Sequence, residues 1–128
     1  FLSNTPSLKI FRERVDRASQ RGYLVGLDGR HLMIRNRHAA VNLLIQGAGA
    51  VICKQWLINI NKLYKERKVK ASLVASIHDE YQHEVYNPHA ELFGELTKKA
   101  MKQTEKDLKV LCPLGSEYKI GKTWAQTH

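Results

Sequence analysis

Cysteine is scarce in this 128-residue chain: Cys53 and Cys112 are the only two, far apart and without a Cys-x-x-Cys pair. A disulfide scaffold and a thiolate zinc site both need more, so reduced thiols in a cytoplasmic protein are expected. The six histidines include no His-Glu-x-x-His arrangement. His78 and His83 are five apart on a strand-like stretch, which puts them on opposite faces and argues against a histidine-built zinc site. No uninterrupted apolar run approaches the roughly 18 residues of a bilayer span, so no membrane association is expected. Phe1 to Asn4 lack the basic and apolar segments of a secretory leader. The initiator methionine is also missing, so the chain reads as processed or cut from something longer. Acidic residues are few, 12 against 21 Lys plus Arg, for a net charge of +9 with histidine neutral. That excess suits a phosphate-rich partner or another anionic surface. Hydrophobic residues reach 43%, too many for a disordered tail and enough for one compact domain or a piece of a larger one.

The pattern along the chain reads as one α+β unit without repeats or linkers. Thr5-Pro6 is a helix start, with Leu8, Phe11, Val15 and Ala18 spaced as one apolar face and Gly22 as the stop. Tyr23 to Gly26 and His31 to Arg35 flank Asp28-Gly29, which predicts a tight hairpin. From His38 to Arg67 the pattern is helical, and Ala39 to Ile52 carries no charge, so that half must be covered on most sides. Leu73 to Ile77 reads as a buried strand and Tyr81 to Tyr86 as its partner. Asn87-Pro88 opens a third helix with Leu92, Phe93, Leu96, Ala100 and Met101 inward and Lys98, Lys99, Lys102 and Lys106 outward. Lys109 to Cys112 and Glu117 to Ile120 read as a final extended segment before a Gly121 to His128 tail.

Two segments carry chemistry. In Val74-Ala75-Ser76-Ile77-His78-Asp79-Glu80, two carboxylates stand at the apex of a hairpin with apolar flanks, where Gly or Asn would be the ordinary choice. Carboxylate oxygens suit hard cations such as Mg²⁺, for which one or two protein ligands plus substrate phosphates suffice. A solvated turn whose acids only satisfy local amides fits the same pattern. In Asn42-Leu43-Leu44-Ile45-Gln46, two carboxamides four apart share a helix face. They suit the minor-groove acceptors of a duplex, which hardly differ between base pairs; core amides bonding neighbouring backbone are the other reading.

Five motifs stand in order: Arg21-Gly22-Tyr23; Leu27-Asp28-Gly29-Arg30; His38-Ala39-Ala40-Val41-Asn42 with Gln46-Gly47; His78-Asp79-Glu80; and Gly121-x-x-Trp124-x-x-x-His128. Over about Gln20 to His128 the chain thereby resembles the family A DNA polymerases, the DNA polymerase I type. The short connection from Arg35 to His38 is closer to the bacteriophage members. The resemblance implies the carboxyl-terminal part of a palm subdomain in 1–128, with antiparallel hairpins carrying the catalytic turn against long helices. It implies that Asp79 is a metal ligand and Glu80 its catalytic neighbour. It also implies that His78 contacts the primer terminus, that Asn42 and Gln46 face the minor groove, and that His128 is the usual last residue of the family. Members often carry Arg where His38 stands. A second metal-binding Asp, the fingers helix and the thumb are not among these residues.

The function so implied is template-directed nucleotidyl transfer with two Mg²⁺ ions, on primer-template DNA and deoxynucleoside triphosphates. It would be performed with the remaining polymerase segments, in the cytoplasm (the host's, if the source is viral). The isolated piece is expected to be inactive and, through its uncharged helix face, to self-associate. The alternatives are a non-catalytic basic DNA-binding module and a polymerase-assembly module.

Overall fold

The computed structural model describes residues 5–128, so the reading of Phe1 to Asn4 as lacking a secretory leader falls outside the described residues. The chain is α+β, with two small antiparallel hairpins among helices. It divides into two compact units, Phe1–Val51 and Ile52–His128.

In the first unit, α1 spans Pro6–Ser19. Thr5 is its N-cap as expected, but the cap is made by backbone: the Thr5 carbonyl accepts from Leu8 and Lys9, while the hydroxyl makes no capping bond. β1 (Tyr23–Val25) pairs antiparallel with β2 (His31–Met33). The tight two-residue turn expected at Asp28-Gly29 is instead a five-residue loop, Gly26 to Arg30. It closes through the Gly26 N–H to the Arg30 carbonyl at 2.8 Å. Gly29 alone in the loop has positive φ, +81°, whereas a two-residue turn would ask it of both central residues. Asp28 instead binds the Arg30 guanidinium at 2.5 Å. A 3₁₀ turn, Arg37–Ala39, leads into α2, Ala40–Glu66. Val15, Leu24 and Ala40 are buried here, with Phe11, Leu32, Val41 and Leu44 packed round them.

The cover expected over Ala39 to Ile52 is incomplete within this unit: Ile45 is 58% exposed. The expectation about membranes also needs correcting. Counting uninterrupted apolar residues missed that Arg37–Glu66 is, by length and composition, long and apolar enough to cross a bilayer, with mean hydropathy 1.3 over its best window. Asn42 and Gln46 interrupt the run, while the Val, Leu, Ile and Ala residues around them keep its average high.

The second unit packs the later part of α2 against α3, Ala90–Asp107, around Trp56, Ile60, Val69, Phe93, Leu96, Ala100 and Met101. Two buried polar groups bridge the helices, the Asn59 amide donating to the Thr104 hydroxyl at 3.0 Å and to Asp107 at 2.9 Å. α3 opens after a 3₁₀ turn at Asn87–His89, and four of its five expected core positions are buried. Leu92 is 47% exposed, because it sits at the edge of the apolar stripe beyond the reach of α2.

β3 (Ala71–Ile77) and β4 (Glu80–Val85) form the second hairpin. A bulge between Leu73 and Ala75 leaves Val74 unpaired. The expectation that β3 is buried fails, with Leu73 44% and Val74 66% exposed. Val74 is the bulged, unpaired residue, and Leu73, opposite His83, stays partly open because a two-stranded sheet has no further strand to cover it. The final extended segment forms no strand either. It is bound to α3 by side chains: Glu105 accepts the Leu114 N–H at 2.8 Å and Lys102 at 3.1 Å, and Lys102 also donates to the Leu114 carbonyl. Farther on, the Tyr118 ring lies on Gly94, where a Cβ would come within 2.3 Å of it. Its hydroxyl donates to Glu91 and Glu95, which pushes its pKa up to about 12. The expected tail contains a short helix, α4, Trp124–Thr127.

The Glu105 clip sets a pH dependence. The Leu114 N–H, and then Lys102, hold the Glu105 carboxyl below its ordinary value of 4.5. A lowered folded pKa means the clip contributes fully above pH 4.5 and is lost as pH falls through the folded value. Protection of the Leu114 amide, its exchange relative to an unstructured chain at the same pH, is expected to fall only on that acid side, with Glu105→Gln removing the dependence.

Candidate active site

The β3–β4 hairpin closes through two residues, His78 and Asp79, with Ile77 paired to Glu80. His78 takes φ +53°, a left-handed conformation costly for a residue with a side chain. Strain of this kind persists where the surroundings hold it and is frequent at functional turns. His78 and Asp79 are both exposed, and Glu80 is half-buried. Among the described residues no hydrogen bond or ion pair engages the Asp79 carboxylate. The reading of Asp79 as an acid that satisfies local amides is therefore not supported.

Glu80 is differently placed. One of its oxygens accepts from the Gln82 side-chain amide, and the other lies 3.1 Å from His128 Nδ1. The Gln82 amide, followed by His128, holds the Glu80 carboxyl below the usual range, with the Trp124 indole adding to the effect. The Thr127 hydroxyl donates to the Gln82 carbonyl oxygen at 3.2 Å, and the Trp124 ring stands edge-on to His128 at 5.8 Å. The turn therefore offers one anchored carboxylate and one open one.

Behind it, burial raises the Cys53 thiol, and the negative Asp79 raises it further. Tyr81 is also raised by burial, and its ring leans on Trp56 at 5.3 Å. His83 packs on the Phe93 ring at 4.8 Å, and burial lowers its pKa, which favours the neutral form. Among the described residues no three His, Cys, Asp or Glu side chains converge as a complete metal site. A cation at this turn would take one ligand from Asp79 and the rest from outside these residues.

The second expected constellation, Asn42 and Gln46, lies on α2 in the first unit. Both side chains are exposed, so they are not core amides. Sequence reasoning missed Gln82 and Thr127 as the groups that fix Glu80. Gln82 was legible in principle, since strand residues two apart share a face. Thr127 was not, because its partner is 45 residues away.

The chain is 34% identical to a DNA-directed DNA polymerase of Escherichia phage Phieco32 and 33% identical to that of Escherichia phage T7, each match covering all of this chain and 22% or 21% of the relative. DNA polymerase I of Bacillus caldotenax is 28% identical over 97% of this chain and 15% of its own. The chain therefore spans about a fifth of the length of the phage relatives. Among solved structures, the polymerase domain of Pol1 from M. smegmatis, in complex with DNA primer-template and dNTP, superposes with a TM-score of 0.73. That match has 22% identity and covers 80% of this chain and 20% of that one, so it shows a shared fold. The sequence pattern of DNA polymerase family A matches residues 1–126, and the chain belongs to that family.

Proposed function

We propose that the chain is the carboxyl-terminal part of a polymerase palm and takes part in template-directed DNA synthesis. In that reaction a primer 3′-hydroxyl attacks the α-phosphate of an incoming deoxynucleotide and pyrophosphate leaves. Asp79 is the residue that would hold catalytic Mg²⁺, and its exposure at the hairpin apex beside an already anchored Glu80 is the observation that carries the proposal. A single open carboxylate fits a cation that completes its shell with water and substrate phosphates. When bound, a pair of such ions activates the attacking oxygen and neutralises charge on the leaving one. Glu80 fixes the turn through Gln82 and His128, so that Asp79 is presented without rearrangement. His78 is assigned to the primer terminus. Asn42 and Gln46 are assigned to minor-groove acceptors, which they can read without preferring a sequence.

The 128-residue chain alone is expected to show no templated incorporation. Mixing it with the complementary amino-terminal part of the polymerase is expected to restore Mg²⁺-dependent primer extension. Synthesis by the isolated chain would overturn the division of labour, and a mixture that associates yet stays inactive would overturn the catalytic assignment. A purely DNA-binding role is the weaker reading. Of the outward lysines on α3, Lys98 and Lys102 are engaged by Glu95 and Glu105, which reduces the positive charge that face offers to phosphate.

A further inference from the structure

A groove of about 700 Å³ in the first unit lies between α1 and the turn that enters α2. Leu8, Phe11 and Val41 give it an apolar floor, and Arg12, Arg17 and Arg37 stand along it. The three guanidinium groups are exposed, and none has a carboxylate within ion-pair distance among the described residues. Asp16 is the one acidic side chain in the lining, so positive charge dominates.

Three unneutralised arginines beside an aromatic and aliphatic floor are an unusual use of surface. Arginine presents a planar fork that matches phosphate oxygens, and an exposed pair with Asp or Glu would be the ordinary way to quiet it. The floor would gain from an apolar or aromatic occupant that removes it from water. A ligand with regularly spaced anions and flat apolar faces satisfies both demands. Single-stranded nucleic acid is such a ligand: phosphates track a cationic rim while unpaired bases stack on side chains. A duplex keeps its bases stacked inside and has no use for the floor.

We infer that this groove holds a short single-stranded stretch of nucleic acid, with Arg12, Arg17 and Arg37 on phosphates and Phe11 beneath a base. The inference rests on the polymerase reading, because it supplies such a segment as unpaired template. It adds a binding surface apart from the Asp79 turn and from the Asn42–Gln46 pair.

The test is fluorescence anisotropy of the 128-residue chain with a labelled oligothymidylate of about 12 nucleotides and, in parallel, a blunt duplex. Replacing Arg12, Arg17 and Arg37 together by alanine is expected to weaken single-strand binding by about tenfold or more at moderate salt. The slope of log affinity against log salt is expected to fall by about 2, the value for three lost phosphate contacts on a single strand. The corresponding triple lysine variant keeps most of the slope. Phe11→Leu, which keeps an apolar side chain against the core but removes the aromatic face, is expected to lower single-strand affinity severalfold with the slope unchanged, as loss of stacking requires. Circular dichroism confirms that each variant remains folded.

Unchanged single-strand binding by the triple alanine variant would overturn the inference. An equal loss for the duplex would also overturn it, reducing the groove to general surface charge. Competitive displacement of the oligonucleotide by the amino-terminal part of the polymerase would reassign the groove to a protein segment. Asp79→Ala is expected to leave oligonucleotide binding intact, so failure of the catalytic assignment and failure of the groove assignment give different results.

Discussion

Asp79→Ala, introduced into the full-length polymerase proposed above, is expected to lower primer extension by about a thousandfold or more while leaving primer-template affinity within a few-fold. The size of the effect follows from the role proposed for the residue. A metal-held carboxylate contributes several kcal/mol of charge stabilisation that is realised in the transition state, and each ~1.4 kcal/mol is a factor of ten in rate. The direction follows from the geometry. Asp79 is exposed and unengaged among the described residues, so its removal leaves no buried partner unsatisfied and the hairpin keeps its Ile77–Glu80 pairing. Stability should hardly change, which separates this substitution from one that merely unfolds the site. Glu80→Gln supplies the contrast. It keeps the size of the side chain but alters the contacts to Gln82 and His128, so it is expected to loosen α4 and lower extension less than Asp79→Ala. The measurement is single-turnover incorporation alongside urea unfolding of both variants. An Asp79→Ala enzyme within tenfold of the parent would remove Asp79 from the reaction.

The second large effect concerns stability. Trp56→Ala is expected to destabilise the second unit by about 3–5 kcal/mol, the usual cost of emptying a buried aromatic site. Trp56 is 8% exposed, packs among Ile60, Phe93, Leu96 and Met101, and donates its indole N–H to the Thr97 carbonyl at 2.9 Å. Against a total stability of about 5–15 kcal/mol, that loss leaves a substantial unfolded population. Trp56→Phe keeps most of the buried area and loses mainly the hydrogen bond, so about 1 kcal/mol is expected. The ratio of the two separates packing from polar satisfaction and is read from urea midpoints of the 128-residue chain. Because Tyr81 leans on Trp56 and follows Glu80 in β4, the alanine variant should also disturb the Asp79 turn. Equal effects from alanine and phenylalanine would show that the indole bond, not the packing, secures the site.

Much of this architecture was legible from local pattern. The apolar spacing of α1 and α3, the hairpin pair around His78-Asp79 and the helical run through α2 all follow from periodicity and turn chemistry, which neighbouring residues enforce. Pattern failed where the answer depended on distant neighbours. An apolar stretch in β3 shows only that cover would be favourable, not that these residues supply it, and Leu73 and Val74 remain exposed. Lys109 to Ile120 has an extended composition, yet a strand needs a hydrogen-bonding edge beside it, and here Glu105 and Tyr118 bind the segment to α3 instead. Asp28-Gly29 carried a hairpin signal, but the carboxylate went to Arg30 and the loop opened to five residues.

Motif order and side-chain type are properties of the chain alone, so the family and the residues proposed for the chemistry could both be read from it. Which of the two adjacent acids is open depends on the folded chain. Asp79 and Glu80 are equivalent in local pattern. What distinguishes them is that Gln82, on the same strand face, and His128, 48 residues along the chain, both reach Glu80. A hydrogen bond to a carboxylate is set by the positions of donors in space, and those positions exist only once β4 and α4 have folded together.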